Sequence, residues 1–279
     1  MTGSTGFVGR ALVKKLRHED RQVLETSSHR GRVEESATWQ GFPADLVGTV
    51  CHLAARSYVP DSWSHPCSFM QTNLLGTHRA LEFCRFHQAR MIFVSSYLYG
   101  RNPRLPTDEE QPLEAPNPYA LSKLLGEQLC DFYSGLGVQV IIVRPFNLYG
   151  PGQPDHFLIP QVLRQALFAD RLKVLDLRPR RDYLYLDDFV TLLTLLVRSQ
   201  SPPGAYNAGS GTSYSVAEIV ETALRLAQRV VPIESSHSER TNEIPATQAD
   251  IGKARDLLGW RPSTRLDTGL RRTMDALRG

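Results

Sequence analysis

The stretch GSTGFVG, at residues 3–9, has glycine at every third position and constrains the fold more than any other part of the sequence. This spacing is typical of a phosphate-binding turn, in which a tight turn opens a helix whose first N–H groups face a phosphate. Such a turn normally follows a buried strand, yet only Met1 and Thr2 precede it here. Taken alone, the pattern fits helix packing equally well, so the rest of the chain decides what it means.

The first half of the chain alternates short apolar runs with longer stretches of helical periodicity. We predict strands at Gln22–Thr26, Thr49–Ala55, Met91–Ser96 and Val138–Phe146, and a helix at Tyr119–Leu136. A further helix is expected where apolar residues recur at helical spacing, at Met70, Leu74, Thr77, Leu81 and Cys84. This alternation predicts an α/β fold in which helices flank a doubly wound parallel sheet.

The strand that should precede the glycine turn belongs at the centre of this sheet, between the strands of Val23 and Cys51. Without it, both neighbours would lose hydrogen bonds from buried backbone groups, which is costly. We therefore expect the natural polypeptide to begin several residues upstream of Met1.

The pattern loosens after Gly150, where prolines punctuate the chain. We predict that residues 1–150 form a dinucleotide-binding domain, to which residues 183–205 return, and that residues 151–182 and 206–279 form a smaller α/β substrate-binding lobe. Within the second half, Ser215 and Glu218 have the spacing of a capping box, and Asp187 or Asp188 is a candidate N-cap. An amphipathic helix is expected at Leu266–Leu277.

Composition excludes several classes of function. The 32 Lys and Arg residues are scattered and nearly balanced by 29 Asp and Glu, so no nucleic-acid-binding stripe is present. The four cysteines lack C-x-x-C spacing, and the eight histidines lack metal-ligand spacing. The sequence shows neither a signal peptide nor an apolar run long enough to span a membrane. We expect a cytoplasmic protein with reduced thiols, without a metal and without nucleic-acid or membrane partners.

Tyr119 and Lys123 lie one helical turn apart, so the predicted helix places a phenol and an ammonium on the same face. An ammonium beside a phenol favours the phenolate, so we expect the pKa of Tyr119 to fall towards neutrality. Ser95 and Ser96 stand at the end of a predicted strand, where active sites of parallel sheets form. The combination predicts acid–base chemistry at this edge of the sheet.

These features together resemble the extended short-chain dehydrogenase/reductase family, which comprises nucleotide-sugar epimerases, dehydratases and reductases. The resemblance covers nearly the whole chain, because the following motifs occur in the family's order: TGSTGFVG, HLAA, TNLLGT, VSSYLYG, YALSK, RPFNLYGPGQ, RDYLYLDD, YNAGSG and LGWRP. It implies a Rossmann-like fold whose first strand is largely missing from this sequence.

The same resemblance implies roles for individual residues. Tyr119 is implied to be the catalytic acid–base, Lys123 to bind the nicotinamide ribose, and Ser95 to hydrogen-bond the reacting oxygen, with Ser96 as a weaker candidate for that position. Asn73 is implied to steady the active-site helix. Cofactor contacts are implied for the glycine turn, the HLAA segment and the helix residues, at Gly3, Gly6, Phe7, Val8, Gly9, Leu53, Ala54, Ala55, Asn73, Tyr119 and Lys123.

The choice of cofactor depends on the loop after the second predicted strand. Family members selective for NAD carry an acidic residue where this chain has Ser27. No carboxylate there would repel a 2′-phosphate, while Ser28 and Arg30 can donate hydrogen bonds to one. We therefore predict NADP, with NAD as the alternative, although an ordinary solvated loop would look similar.

On the substrate side, the resemblance implies contacts from Ser96, Tyr97, Asn147 and Arg181. Arg240 and Glu243, in RTNEIP, resemble the R-P-x-E-(V/I)-P signature of GDP-sugar dehydratases and reductases, among which GDP-4-dehydro-6-deoxy-mannose reductases are the most similar. Tyr97 stands where dehydratases carry an acidic residue, which argues against dehydration.

We predict NADPH-dependent reduction at C4 of a 4-keto-6-deoxy nucleotide-sugar, with a GDP-sugar favoured. The alternatives are an NAD-dependent nucleotide-sugar 4-epimerase and a non-catalytic cofactor-binding protein. A homodimer is also expected, because in this family the helices carrying TNLLGT and YALSK pack against their counterparts. Leu75, Leu125 and Leu129 offer apolar side chains for that contact.

Overall fold

The computed structural model describes residues 1–43, 46–101, 103–236 and 244–278. A parallel sheet with strand order β1-β2-β3-β7 lies at its centre. The strands of this sheet are β1 (Thr49–His52), β2 (Arg90–Val94), β3 (Val140–Pro145) and β7 (Gly204–Ala208). Each strand is joined to the next by a chain segment that contains a helix, as a parallel sheet requires.

Helices cover both faces of the central sheet. On one face α1 (Phe7–His18) packs beside α7 (Leu186–Arg198), and on the other α4 (Gly76–His87) packs beside α5 (Pro118–Gly135). The strands are buried on both faces, so they read as continuous apolar runs. The predicted doubly wound α/β fold is confirmed.

The first two residues occupy the place expected for the missing strand. Thr2 forms parallel bridges to both Thr26 and His52, and its N–H donates to the Cys51 carbonyl at 3.0 Å. The prediction of a strand over residues 22–26 was wrong, because only Thr26 makes a bridge. Beside that bridge, the segment is held by hydrogen bonds from Met1 N to the Leu24 carbonyl at 2.7 Å and from Thr26 N to the Met1 carbonyl at 2.9 Å.

The second half of the chain builds a smaller lobe around its own apolar core. Its helices are α6 (Leu158–Phe168), α8 (Val216–Ala227) and α10 (Leu266–Arg278). Its short strands are β4 (Asn147–Tyr149), β5 (Leu172–Val174), β6 (Arg180–Tyr185), β8 (Ser213–Ser215) and β9 (Ile233–Ser235). The predicted boundary between residues 205 and 206 falls inside β7, because residues 206–208 pair with β3 in the central sheet.

The remaining elements are short helices. They are α2 (Val59–Ser64), α3 (Pro66–Phe69) and α9 (Gly252–Leu258), with a 3₁₀ turn at Ser36–Trp39 and a π-helical segment at Met70–Leu75. The helix predicted around residues 70–84 is therefore present, but its first part is wound as a π-helix. Within the described residues, every helix is too short or too polar to cross a membrane.

Two predicted helix starts had different outcomes. The capping box is confirmed, because Glu218 N donates to Ser215 Oγ at 3.1 Å and Ser215 N donates to Glu218 Oε2 at 2.7 Å. The prediction that an aspartate caps α7 was wrong, because Tyr185 is the N-cap. The Asp188 carboxylate instead accepts hydrogen bonds from Ser263 N and Oγ and from Thr264 N, and so ties α7 to the chain before α10.

Candidate active site

A cleft of about 550 Å³ opens at the carboxyl ends of the central strands, between the sheet and the smaller lobe. It brings together most of the residues predicted from the sequence: Gly3, Gly6, Phe7, Val8, Gly9, Leu53, Ala55, Ser95, Ser96, Tyr97, Tyr119, Lys123, Asn147 and Arg181. Ala54, Asn73, Ser27, Ser28 and Arg30 lie outside the lining. Arg240 and Glu243 lie outside the described residues.

The glycine turn forms the end of the cleft where α1 begins. Gly3 has φ of 68°, and a Cβ on Gly9 would lie 2.0 Å from the Gly3 carbonyl oxygen, so both positions exclude side chains. The backbone of Ala54 packs directly against Gly3, which explains why Ala54 stays out of the lining. Because the first turn of α1 has no acidic residue and, among the described residues, no capping side chain, its N–H groups suit the diphosphate of a dinucleotide.

Tyr119 and Lys123 are positioned by the start of α5. Asn117 caps this helix, accepting from Ala120 N at 2.8 Å, and Pro118 fills its first position. Tyr119 therefore lies in the first turn, where its ring meets Phe69 edge to face at 6.3 Å. Lys123, one turn further on, is 3% exposed and holds its Nζ 4.5 Å from the centre of the Phe93 ring.

Burial controls the protonation of this pair. Burial raises the pKa of Tyr119 to about 12, against a smaller lowering effect of the neighbouring Ser96. Burial also lowers the pKa of Lys123 to about 8, although Cys130 and Glu127 act in the opposite direction. The expectation that Lys123 lowers the pKa of Tyr119 towards neutrality was wrong, because desolvation of the phenol outweighs the other effects. Tyr119 is thus protonated at neutral pH and suited to donate a proton.

Asn73 lies in the π-helical segment, below the active-site helix. Its Nδ2 donates to Ser122 Oγ at 2.8 Å and to the Arg56 carbonyl at 3.0 Å, while its Oδ1 accepts from Arg56 N at 2.8 Å. Asn73 is 1% exposed, so these direct contacts tie the loop after β1 to α5. A π-turn widens the helix locally, and such turns are frequent at functional sites.

The two serines at the end of β2 have different surroundings. Ser95 is 3% exposed and donates from Oγ to Glu127 Oε1 at 2.5 Å. Glu127 in turn forms a buried ion pair with Arg144, whose Nη2 lies 2.7 Å from Oε2. Ser96 is half-buried and lines the cleft together with Ser95 and Tyr119.

Glu127 and Arg144 are not among the residues predicted from the sequence. Two signals could have found them. Glu127 lies eight residues after Tyr119, on the same face of α5, and Arg144 is a charge inside the apolar run VIIVRP. A charge buried in this way requires an opposite partner.

The loop predicted to select the cofactor lies on the surface beyond the glycine turn. Ser27 is half-buried, and its carbonyl accepts from Arg30 N at 2.9 Å. The Arg30 guanidinium lies 4.2 Å above the ring of Phe42 and reaches the Gln40 carbonyl at 3.4 Å. The nearby carboxylate of Glu25 pairs with Arg17 on α1, so it is directed away from the loop.

The substrate side of the cleft presents hydrogen-bond acceptors. Asn147 Oδ1 and Gln153 Oε1 are both buried without a hydrogen-bond partner among the described residues. The Gln153 amide donates to the Leu148 carbonyl at 2.8 Å, which leaves its oxygen for a ligand. Tyr97 stacks on Phe146 with ring centres 5.2 Å apart. Gln153 has no site signal in the sequence beyond its place in RPFNLYGPGQ.

Arg181 lies further out along the cleft, at the edge of the smaller lobe. Its Nη1 donates to the Ile244 carbonyl at 2.6 Å and to the Arg180 carbonyl at 2.8 Å. Of the neighbouring arginines, Arg178 pairs with Asp176, and Arg180 pairs with Glu218. Arg181 is therefore the arginine of this group that lines the cleft.

Comparison with known proteins gives consistent results. The family model described as "NAD dependent epimerase/dehydratase family" matches residues 1–209. GDP-6-deoxy-D-mannose reductase of Pseudomonas aeruginosa is 32% identical over 97% of this chain and 94% of its own length. UDP-glucose 4-epimerase of Mycolicibacterium smegmatis is 29% identical over 100% of this chain and 97% of its own length.

Solved structures are similar over the whole chain. RMD from Pseudomonas aeruginosa, complexed with NADPH, is 30% identical, with a TM-score of 0.88 over 98% of this chain and 96% of that one. MoeE5 in complex with UDP-glucose and NAD is 27% identical, with a TM-score of 0.90 over 99% of this chain and 97% of that one.

Proposed function

The chain belongs to the NAD dependent epimerase/dehydratase family and is an NAD(P)-dependent nucleotide-sugar oxidoreductase, and we propose that it reduces a 4-keto-6-deoxy nucleotide-sugar at C4 with NADPH. One observation carries the proposal: the phenol of Tyr119 and the buried ammonium of Lys123, one turn apart on α5, both line the cleft. Ketone reduction needs a proton donor at the carbonyl oxygen, and a phenol with a pKa of about 12 holds its proton at neutral pH.

A nicotinamide cofactor, when bound, would supply the hydride for C4. The chain's own residues provide the proton and the contacts that hold the cofactor. Tyr119 donates its proton to the oxygen as C4 becomes tetrahedral, which completes the alcohol, and Lys123 holds the nicotinamide ribose. The N-terminal N–H groups of α1 hold the diphosphate. Val8 and Phe7 line the same part of the cleft and help exclude water from the reacting centre.

The nucleotide-sugar occupies the other end of the cleft. Asn147 Oδ1 and Gln153 Oε1 need hydrogen-bond donors, which the hydroxyl groups of a hexose provide. Arg181 suits the diphosphate, because a guanidinium can hold two phosphate oxygens at once. The similarity to the P. aeruginosa reductase favours a GDP-sugar. Tyr97, in the place of the dehydratase acid, supports a reaction without loss of water.

The loop at Ser27 supports NADPH over NADH. Glu25, two residues before Ser27, is paired with Arg17, which offsets its charge near a 2′-phosphate. Ser28 and Arg30 are exposed and can donate hydrogen bonds once Arg30 leaves the Gln40 carbonyl. The similar RMD structure contains NADPH.

A second candidate is an NAD-dependent nucleotide-sugar 4-epimerase, which oxidises C4 and reduces it again from the other face. The specific observation in its favour is the 29% identity to the M. smegmatis UDP-glucose 4-epimerase over the full chain. An epimerase regenerates its cofactor in each cycle, so it retains NAD through purification, whereas a reductase must release its oxidised cofactor.

The deciding experiment incubates the protein with 4-keto-6-deoxy sugars linked to GDP, UDP and dTDP. Each is tested with NADPH and with NADH, and the loss of reduced-nicotinamide absorbance is followed. Stoichiometric loss with NADPH and a GDP-linked ketone supports the reductase. No loss with any ketone, together with tightly bound NAD and interconversion of C4 epimers, would establish the epimerase instead.

We also propose that two copies associate through α4 and α5. Of the leucines expected at this contact, Leu75 remains 40% exposed, Leu125 is half-buried, and Leu129 was wrongly expected there because it packs against the core. On α5, Leu121 is 40% exposed and Phe132 is exposed as well. Helix pairs of this kind bury such side chains in a bundle with a second copy.

A further inference from the structure

His52, the last residue of β1, is a buried polar residue that lies outside the lining of the cleft. It is 1% exposed, and its ring stacks on Phe93 with ring centres 6.0 Å apart. Both ring nitrogens face threonine hydroxyls: Nδ1 lies 2.8 Å from Thr2 Oγ1, and Nε2 lies 3.2 Å from Thr77 Oγ1. His52 therefore joins the residue before the glycine turn to the first turn of α4.

The hydroxyl protons decide which ring nitrogen of His52 carries hydrogen. Thr77 Oγ1 donates its single proton to the Asn73 carbonyl at 2.6 Å, so towards the His52 ring it can only accept. Nε2 consequently carries the hydrogen, and Nδ1 is left as the acceptor for the Thr2 hydroxyl. The two threonines thus fix the Nε2–H tautomer of a neutral imidazole.

At one end, these hydrogen bonds reach the part of the cleft that suits a dinucleotide. Thr2 Oγ1 accepts from the N–H groups of Leu53 at 3.2 Å and Ala54 at 3.1 Å, which uses both its lone pairs. The Ala54 backbone packs directly against Gly3. Gly3 and Leu53 both line the cleft, so Thr2 holds the loop after β1 against the glycine turn.

At the other end, the hydrogen bonds reach the turn of α5 that carries Tyr119. Asn73 Nδ2 donates to Ser122 Oγ at 2.8 Å, and Ser122 Oγ donates to the Tyr119 carbonyl at 2.7 Å. Asn73 also accepts from Thr77 through its own carbonyl, so it connects the two sets of contacts. We use the term His52 network for the five residues that form this connection: Thr2, His52, Thr77, Asn73 and Ser122.

The His52 network requires a neutral imidazole. A hydrogen on Nδ1 would face the hydrogen of the Thr2 hydroxyl, whose oxygen already accepts twice. Burial lowers the pKa of His52 to about 3, and the Lys123 ammonium and the amino group of Met1 act in the same direction. The ring therefore stays uncharged at neutral pH.

We propose that His52 is a positioning residue, which fixes the glycine turn that binds the cofactor relative to the turn of α5 that carries the proton donor. The hydride and the proton must reach adjacent atoms of one carbonyl group, so kcat depends on the relative placement of these two elements. This role rests on the proposed function only in taking Tyr119 as the proton donor, and an epimerase that uses the same phenol would need the same alignment.

The test interrupts the His52 network at its middle, at a residue outside the cleft lining. Thr77→Val keeps the shape of the side chain but leaves His52 Nε2–H without an acceptor. At saturating NADPH and 4-keto nucleotide-sugar, kcat should fall about 10- to 100-fold through misalignment. The dissociation constant for NADPH should change little, because the N–H groups of the glycine turn remain. Thr77→Ser, which keeps the hydroxyl, should restore kcat to within about threefold.

Thr194→Val is the matched control. Thr194 is 3% exposed on α7, and its Oγ1 donates to the Val190 carbonyl at 2.8 Å, the same contact within a helix that Thr77 makes. Both valine variants should lower the melting temperature, because each removes a buried hydrogen bond. Thr194→Val should leave kcat nearly unchanged. Equal kcat values for the two variants would reduce Thr77 to a stabilising role and overturn the proposal.

A second readout needs neither a substrate nor a substituted residue. In protein labelled with ¹⁵N at histidine, with His52 assigned through its backbone, the ring should carry hydrogen on Nε2 alone from about pH 5 to pH 8. A hydrogen on Nδ1, or titration within that range, would overturn the His52 network. If the parent reduces no 4-keto sugar, the proposed reductase function fails. The kcat comparison is then made on the interconversion of C4 epimers, and the ring nitrogens test the network whichever reaction the protein performs.

Discussion

At the scale of single residues, the site is governed by desolvation. Burial raises the pKa of the Tyr119 phenol and lowers the pKa of the Lys123 ammonium, because desolvation disfavours the charged form of each group. Neither shift follows from the spacing of the two residues along the helix, because the distance from water depends on what packs around them. The Tyr119 phenol therefore holds its proton at neutral pH and can donate it to a substrate oxygen.

Tyr119→Phe should reduce turnover by at least about 100-fold, because it removes the proton donor and keeps the ring that packs on Phe69. NADPH binding, followed by fluorescence titration, should change by less than about threefold. Activity reduced by less than roughly tenfold would contradict the role of Tyr119 as general acid.

Lys123→Met should stabilise the protein without cofactor at pH 7. The folded state lowers the pKa of Lys123 from 10.5 to about 8, so keeping the ammonium buried costs on the order of 3 kcal/mol below pH 8. Because the unfolded state binds more protons between pH 8 and 10.5, this cost diminishes as the pH rises through that range.

The difference in free energy of unfolding between Lys123→Met and the parent should therefore shrink from pH 7 to pH 10, as measured by urea denaturation at each pH. The cofactor affinity of the variant should fall, since the ribose loses a donor. A variant that is less stable than the parent at pH 7 would contradict this account of the buried ammonium.

Ser27→Asp should weaken NADPH binding strongly and leave NADH binding nearly unchanged. A carboxylate a few ångströms from the 2′-phosphate adds a repulsion of a few kcal/mol under surface-like screening. Ser27→Asn is the matched control, because it has nearly the same size without the charge. Titration of both cofactors against all three proteins measures the effect. A parent that already prefers NADH would show that the loop is wrongly assigned, and would favour the epimerase.

At the scale of elements, each functional side chain is placed by the start or end of a helix or strand. The tight turn before α1 positions its N–H groups, and Asn117 with Pro118 starts α5 so that Tyr119 enters the cleft. Asn73 joins the π-helical segment to α5 through Ser122. The glycine turn and the Asn117–Pro118 helix start have recognisable sequence patterns, whereas the π-helical segment has no such pattern.

Gly9→Ala tests the turn before α1. The added Cβ would lie 2.0 Å from the Gly3 carbonyl oxygen, so the turn must open and the helix N-terminus must move. We expect cofactor affinity to fall at least about tenfold and the melting temperature to drop, by the mechanism of overpacking. Gly135→Ala is the matched control, since a Cβ there meets no atom within 4 Å. Equal behaviour of the two variants in calorimetry and cofactor titration would disprove the importance of this turn.

At the scale of the whole molecule, the cleft exists only because two lobes meet along it. Tyr99, on the strand side, donates to Asn207 Oδ1 at 2.6 Å, and the Asn207 amide donates to the Thr107 carbonyl at 2.9 Å. Thr107 forms a parallel bridge with Ala249, which lies beyond the central sheet. These hydrogen bonds therefore connect the chain around Ala249 to the segment after β2, where the two serines lie.

The proposed association of two copies should give a dimer mass by light scattering at micromolar concentration. Leu75→Glu should produce a monomer, because it places a charge within the apolar face of α4 and α5. Leu257→Glu is the matched control, since Leu257 is also exposed, at 53%, but belongs to α9. A monomeric parent, or equal masses for the two variants, would rule out this interface.

The sequence by itself determined the elements and most of the cleft. Glycine spacing, helical periodicity and alternating apolar runs depend on neighbours within a few residues, so they predicted α1, α5, the strands after Thr49 and the capping box. The end of a parallel strand also lies at a known edge of the sheet, which is why the serines and Tyr119 were expected together.

Only the tertiary structure decided how the polar groups pair and ionise. The Glu127–Arg144 ion pair joins residues on different elements, and it separates the surroundings of Ser95 and Ser96. The pKa of Tyr119 depends on the burial that the surrounding elements create. Desolvation and long-range hydrogen bonding arise from contacts between distant parts of the chain, so local sequence patterns do not contain them.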